Sequence, residues 1–386
     1  MRLEDLGYNA FFEELRVSLK LPKSSMARVT SCHKDTYTVA GEKGEYAAKI
    51  AGKIFYAAMT KENFPAVGDW VSISGLEEDH PTINAMLPRK NVLIRKSTTN
   101  SDNQLIGANI DVGFVVQSVD RDYNLNRLDR YLTAIINCRI IPVLILHKTD
   151  LISEEELRAK ISMVKKRFAA LHTIPTSRMT KQGINILMKF IRKGLTYCFI
   201  GSSGVGKSSL INSLLGKETL EIGALSDYTK KGTHTTCSRS LLVLGNGGIV
   251  IDNPGMREFG IAGDTREAAG AEGVSGRSVS SAGAESVSSA MTDAPWRAGP
   301  DGVFDKIENL ALKCKYSNCS HGGEAGCAVK DALDSGELDN KKYLSYIKLK
   351  KEIQRNTMTK FEKITKDKKF GKFCKTVMAR KKKAQS

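Results

Sequence analysis

Gly201-Ser202-Ser203-Gly204-Val205-Gly206-Lys207-Ser208 decides how this chain folds. The run before it, Thr196-Tyr197-Cys198-Phe199-Ile200, is a short apolar strand, and Leu210, Ile211, Leu214 and Leu215 after it fall on one side of a helix. A glycine-rich turn between a strand and a helix points successive backbone amides into one concavity at the positive end of the helix, where a polyphosphate sits. Gly201 and Gly206 permit that path, and Ser202, Ser203, Gly204 and Val205 complete the loop. Lys207 is expected to reach the β and γ phosphates, and the Ser208 hydroxyl to ligate Mg²⁺.

Downstream, Gly248-Ile249-Val250-Ile251 is a buried-strand run that delivers Asp252-Asn253-Pro254-Gly255 at its end, where ligands of open α/β sheets bind. Asp252 is placed to hold Mg²⁺ through water, and the Gly255 amide to sense the γ phosphate. Between the two motifs lies the polar stretch Lys231-Gly232-Thr233-His234-Thr235-Thr236. A hydroxyl from Thr235 or Thr236 completes the magnesium shell there only when the γ phosphate is present, which makes an order–disorder switch.

Upstream, the apolar strand Ile141-Pro142-Val143-Leu144-Ile145-Leu146 leads into His147-Lys148-Thr149-Asp150. The Asp150 carboxylate offers two acceptors to the N1–H and exocyclic amine of guanine; adenine presents an acceptor there and leaves the carboxylate unpaired. That asymmetry favours GTP over ATP. The stem of Lys148 packs over the base plane, and Thr176-Ser177, after another apolar strand, is the expected second loop under the base. Asparagine is usual where His147 stands; one imidazole nitrogen can donate to guanine N7. In an ordinary guanine-nucleotide switch protein the phosphate loop opens the domain and the base reader comes late. Here the order is reversed, so the sequence reads as a circularly permuted GTPase.

Eight cysteines are present, scattered as in a reduced, cytosolic chain. Four ligands fall together: Cys314, Cys319, His321 and Cys327, as C-x4-C-x-H-x5-C. Three thiolates and one imidazole make a closed tetrahedral zinc site, a structural staple with no open position for catalysis. The N-terminus does not read as a signal peptide and no apolar run is long enough to span a bilayer, so no membrane partner is expected.

The remaining chain divides by composition. An amphipathic arm is expected over 1–26, with a helix in its first 20 residues carrying Leu6, Phe11, Phe12 and Leu15 on one side against the body of the protein. Short alternating runs over 27–97, such as Trp70-Val71-Ser72-Ile73, predict a small all-β barrel of the oligonucleotide-binding (OB) type. The GTPase spans 98–261, followed by an Ala/Gly/Ser-rich insertion over 262–302 that cannot bury enough surface to offset its ordering entropy. A helical zinc domain over 303–365 and a basic tail over 366–386 complete the chain. The fold class is thus multidomain: an all-β barrel, a central α/β permuted P-loop GTPase and a C-terminal α-helical zinc domain. With 59 Lys and Arg against 42 Asp and Glu, the net charge of +17 implies a polyanionic partner, nucleic acid being the best fit.

The set Pro65-Ala66-Val67-Gly68-Asp69-Trp70-Val71, Leu87-Pro88-Arg89, Ala108-Asn109-Ile110-Asp111, Leu128-Asp129-Arg130-Tyr131-Leu132 and Asp252 to Phe259, with the Cys/His cluster, resembles the ribosome small subunit-dependent GTPase A family. The resemblance covers nearly the whole chain apart from the insertion and the tail. It implies a monomeric, cytoplasmic enzyme that binds GTP and GDP, the small ribosomal subunit and its rRNA, and acts late in small-subunit maturation. It also implies slow intrinsic hydrolysis that the subunit stimulates. Met256 follows Asp252-x-x-Gly255 where many switch GTPases carry a water-orienting glutamine. By resemblance to the family's Gly-Arg-His-Thr-Thr motif, His234 is then the candidate to position the attacking water, with Thr233 in place of the arginine. Two other readings compete: a non-hydrolysing RNA-binding scaffold, favoured by His147 and Thr233, and an ATP-using RNA factor, opposed by Asp150.

Overall fold

The computed structural model describes residues 1–33, 36–57, 61–77, 81–96, 103–120, 122–216, 239–252, 303–317, 319–358, 362 and 365. The expected roles of His234, Thr235, Thr236 and Gly255, the insertion over 262–302 and the tail over 366–386 lie outside these residues.

The N-terminal arm is two pieces rather than one helix: a 3-10 turn, Leu3–Leu6, and α1, Ala10–Ser18. Gly7 separates them at φ 87°, a left-handed conformation that ends the first turn. An added Cβ at Gly7 would stand 2.8 Å from the Arg28 guanidinium and 2.9 Å from the Gly194 carbonyl, so the break is also a close approach. Leu3, Leu6, Tyr8 and Phe12 pack against Met26, Trp70 and Leu87. The indole of Trp70 lies edge-on to the Tyr8 ring at 4.8 Å. The arm thereby closes one end of the barrel with an aromatic cluster, as its apolar side predicts.

Five strands form that barrel: β1 Met26–His33, β2 Thr36–Gly41, β3 Gly44–Ile50, β4 Trp70–Ser74 and β5 Thr82–Met86. Their order is β1-β2-β3-β5-β4 with β4 returning to β1, and β3–β5 is the one parallel pair. This is the OB arrangement. Alternation along each strand sends Val29, Val39, Ala48, Val71 and Ile83 into the lumen. Helix α2, Gly52–Ala57, follows β3. The hairpin of β6, Val92–Lys96, and β7, Asn103–Ala108, leads into the α/β part.

There, β8 Val112–Ser118, β9 Ile141–His147, β10 Thr173–Thr176, β11 Thr196–Ile200 and β13 Ile249–Asp252 run parallel in the order β10-β9-β8-β11-β13, with antiparallel β12, Ser240–Val243, at the edge. All of β9 but its first residue is buried, and β8 and β11 are buried throughout, as near-continuous apolar runs require of a parallel sheet covered on both faces. Helices α3 Leu125–Asn137, α4 Glu154–Arg167, α5 Ile184–Phe190 and α6 Lys207–Leu215 cover it. Ser31 of β1 pairs with Ser240 of β12, so barrel and GTPase share one continuous sheet.

Three C-terminal helices, α7 Asp305–Ala311, α8 Ala328–Asp334 and α9 Asn340–Thr357, form the last unit. Its core is joined to the GTPase core: Ile307, Val329, Tyr346 and Leu349 belong to one apolar cluster with Leu128, Tyr131 and Leu132 of α3. Polar contacts reinforce this seam. Arg130 of α3 meets Glu352 of α9 at 2.8 Å, Lys342 donates to the Arg167 carbonyl at 3.0 Å, and the buried Asp129 accepts from Arg167. Burial raises the Asp129 carboxyl although Arg167 and Ser345 pull it the other way. Among the described residues no helix is long and apolar enough to cross a membrane, and Cys32, Cys138, Cys198, Cys314, Cys319 and Cys327 are all free thiols.

Candidate nucleotide site and metal centre

The parallel strands end at one edge, and their register brings the expected site residues together there. Ser118 pairs with His147, and His147 with Thr176, so three strand ends stand side by side. Next to β8, β11 ends at Ile200 and the chain turns through Gly201–Gly206 into α6. An added Cβ at Gly201 would lie 2.4 Å from the Val116 carbonyl, and Gly206 sits at φ 99°. Both glycines are therefore required by the path itself.

Lys207 is buried at 6% exposure, and its Nζ donates to the carbonyls of Gly201 at 2.8 Å and Ser202 at 2.7 Å. The ammonium is held across the hollow of the loop. Burial lowers it to about 8, while the nearby carboxylates of Asp252 and Asp122 work to keep its charge. Asp252 thus faces the phosphate loop from the end of β13. Ser208 is the second residue of α6, partly buried beside that hollow. A hydroxyl and a carboxylate are the oxygen donors that Mg²⁺ prefers, so Ser208 and Asp252 are the residues that would hold it here.

At the end of β9, where the sequence places the base reader, His147 is 3% exposed and its Nδ1 shares a 3.0 Å hydrogen bond with the Thr176 hydroxyl. A Cβ built on Gly206 would stand 2.4 Å from His147 Cδ2 and 2.7 Å from Nε2. The imidazole is therefore wedged between the second base loop and the phosphate loop. Burial first, and the Lys148 charge second, lower it to about 4, so the ring is neutral at ordinary pH. Lys148 takes a left-handed φ of 62°, and its Nζ reaches Asp120 at 3.3 Å. Thr149 donates to Gln182 Oε1 at 3.3 Å. Ser177 donates to the Asp150 carboxylate, fixing its orientation. Gly183 must be glycine for this loop to close, since a Cβ there would lie 2.0 Å from the Pro175 carbonyl. The sequence motifs did not reveal Asp120, Gln182 or Gly183; each acts through a partner that only strand register supplies.

A further neighbour of the phosphate loop is Arg127 on α3. Its Nη1 donates to Ser202 Oγ at 2.8 Å and pairs with Asp122. Asn124 caps α3, accepting from the amides of Asn126 at 3.0 Å and Arg127 at 3.1 Å, and its own carbonyl accepts from Gln117 at 2.8 Å. The cap positions Arg127 by anchoring the helix start to the end of β8.

Cys314, Cys319, His321 and Cys327 converge, with their ligand atoms within 4.8 Å of one another. Cys314 Sγ lies 3.9 Å from Cys327 Sγ, and each of these sulfurs is 3.6 Å from His321 Nδ1. Tetrahedral zinc with ordinary bond lengths demands about 3.8 Å between sulfurs and about 3.6 Å from sulfur to nitrogen, so the donor set fits that ion. His321 takes φ 62° and its carbonyl accepts from Tyr343 at 2.9 Å, tying the cluster to α9. The Glu324 carboxylate gathers the amides of Ser320, Gly322 and Gly323 at 2.9, 2.8 and 3.1 Å. The Ser320 hydroxyl, which also donates to this carboxylate, holds it down near 2 together with the backbone amides, and these bonds fix the ligand loop.

Known proteins share this arrangement. The RsgA GTPase family model matches residues 86–262. The chain is 36% identical over 329 residues to the small ribosomal subunit biogenesis GTPase RsgA 2 of Lactiplantibacillus plantarum, covering 85% of this chain and 83% of that one. It is 35% identical over 353 residues to RsgA 1 of Listeria innocua, covering 92% and 90%. Two crystal structures share the fold: YjeQ from Thermotoga maritima, at a TM-score of 0.58 and 24% identity over 86% of this chain and 98% of that one, and YloQ, a circularly permuted GTPase, at 0.54 and 21% over 86% and 96%. The His147–Asp150 run at the end of β9 precedes the Gly201–Ser208 loop after β11 in the chain yet reaches the same edge of the sheet with only β8 between them, and the chain belongs to the RsgA family of circularly permuted GTPases.

Proposed function

We propose that this GTPase binds the immature small ribosomal subunit, hydrolyses GTP when docked, and leaves. The observation that carries the reading is the junction of three units around one nucleotide edge: the barrel continues the GTPase sheet through Ser31 and Ser240, and the zinc unit packs on α3, whose Arg127 holds Ser202 of the phosphate loop. The relatives are small ribosomal subunit biogenesis GTPases, which points to that subunit as the partner.

In this reading Lys207 and the amides of Gly201 to Gly206 bind the phosphates. Asp150 takes the guanine edge, with Thr176 and Ser177 beneath it and His147 bracing the two loops. Ser208 and Asp252 hold Mg²⁺, which when bound neutralises charge on the transferring phosphate. The proposal also assigns Gly255 to the γ phosphate, His234 to the attacking water and Thr235 or Thr236 to the switch. Cys314, Cys319, His321 and Cys327 hold one structural zinc. The surplus of basic residues fits rRNA, and the enzyme works as a cytoplasmic monomer.

The test is cosedimentation with purified small subunits. Retention in the presence of a non-hydrolysable GTP analogue and release with GDP support the cycle; equal retention in both nucleotides contradicts it.

A further inference from the structure

A cleft of about 680 Å³ lies between α3, the phosphate loop and α9. Helix α9 turns one face to it: Lys341, Leu344, Ser345, Lys348 and Leu349, spaced as neighbours on a single side. The opposite wall carries Arg127 and Arg130, and Ser202 and Ser203 close the end. Two of the four cations are compensated, Arg127 by Asp122 and Arg130 by Glu352. Lys341 and Lys348 are exposed and make no ion pair among the described residues, seven residues apart and so about 10 Å along the helix. Between them Leu344 is 59% exposed, an apolar surface framed by ammonium groups. The amides of Asn124 and Asn126 add neutral hydrogen-bonding groups at the rim.

Paired cations along a groove, an apolar surface between them and amides at the edge suit a single nucleic-acid strand: charge for the backbone, an aliphatic contact for an unstacked base and donors for base edges or ribose. An acidic peptide would match the charge but leave the apolar surface and the amides unused. We propose that this cleft seats a single-stranded RNA segment, its phosphates on Lys341 and Lys348 and a base against Leu344. The inference rests on the reading that the chain acts on the small subunit, and it adds a place. RNA bound here touches both the zinc unit and Arg127, and through Arg127 the phosphate loop at Ser202.

The experiment uses the full chain and an unstructured RNA oligonucleotide, with affinity measured across a salt series. Two released phosphate contacts on a single strand reduce the slope of log affinity against log salt by about 1.4. Lys341→Ala/Lys348→Ala is therefore expected to weaken oligonucleotide binding about tenfold and to lower the slope by that amount, and Leu344→Ala to weaken binding with the slope unchanged. GTP affinity and basal hydrolysis stay at wild-type values in both. Unchanged affinity and slope in the double variant overturn the proposal. So does an equal loss in Lys330→Ala/Lys351→Ala, which removes two exposed lysines outside the cleft, or displacement of the RNA by polyglutamate as effectively as by competing RNA. The two readings fail separately: wild-type protein that does not respond to small subunits overturns the functional reading, whereas a normal wild type with an unaffected cleft variant overturns only this one.

Discussion

The guanidinium of Arg28 donates to Thr196 Oγ1 at 2.9 Å across 168 residues of sequence, joining the first barrel strand to the strand that ends in the phosphate loop. Arg28 is 1% exposed, and its remaining donors reach the carbonyls of Leu6, Gly68 at 3.1 Å and Asn109 at 3.3 Å. Among the described residues no carboxylate bonds it directly; burial lowers it to about 10, opposed by the charges of Asp111 and Asp69. The arm, the barrel and the GTPase thus meet on one buried cation.

Replacing Arg28 with methionine keeps the stem's volume but removes the donor to the Thr196 hydroxyl and to the Leu6 and Asn109 carbonyls, while the Gly68 carbonyl keeps the Asn109 amide at 3.0 Å. At ~1–3 kcal/mol for a buried polar group left without a partner, the expected loss is about 3 kcal/mol or more. It is measured as a lower urea midpoint with a similar slope. A wild-type midpoint would mean that the barrel and GTPase are held by the sheet alone.

Lys207→Ala and Asp252→Ala act at the other end of β11 and β13. Charge-assisted hydrogen bonds contribute ~1.5–3 kcal/mol each, so Lys207→Ala is expected to weaken GTP binding by one to two orders of magnitude. Asp252→Ala raises the Mg²⁺ concentration needed for hydrolysis, and RNA binding by the barrel persists in both. Calorimetric titration reads the first, a magnesium series the second; joint loss of GTP and RNA binding would point to unfolding instead. In wild type, ATP should fail to compete with GTP, because it leaves Asp150 unpaired.

His147 makes stability depend on pH in a defined window. Its folded value near 4 lies below the ordinary 6.5, so the unfolded chain takes up a proton first. There is no penalty above about pH 6.5. Stability then falls as pH drops toward 4, by up to about 3 kcal/mol. His147→Asn removes that part of the slope. Chemical denaturation of both proteins at pH 7 and pH 5 compares them; parallel losses would show that His147 is not the group responsible.

Cys327→Ser, or a chelator, should reduce zinc from about one equivalent to none and expose the region from 303 to 358 to proteolysis, because Cys327 also belongs to the apolar cluster shared with α3. Metal analysis and limited digestion check this. Unchanged digestion after metal loss would mean that the packing of Ile307, Tyr346 and Leu349 suffices alone.

What the sequence made legible was local. The phosphate loop, the base reader and the Cys/His cluster are short runs whose chemistry depends on neighbours in the chain, and the barrel followed from alternation at period two. The arm was legible as an apolar surface but not as two segments, because Gly7 ends the first turn against Arg28 and Gly194, contacts that exist only in the fold. Arg28, Arg127 and Gln182 carried no motif. The contact between the GTPase and the zinc unit is α9 on α3, set by Asp129, Arg130 and Glu352 from distant parts of the chain, which no local motif could show.

In the proposed cycle this permuted GTPase spends its nucleotide on the small ribosomal subunit. Phosphate release from GTP, measured with and without purified small subunits, tests it most directly. The protein alone should release phosphate slowly and accelerate strongly on adding subunits, with no acceleration in Lys207→Ala. An unchanged rate under conditions where binding to the subunit is confirmed would contradict it.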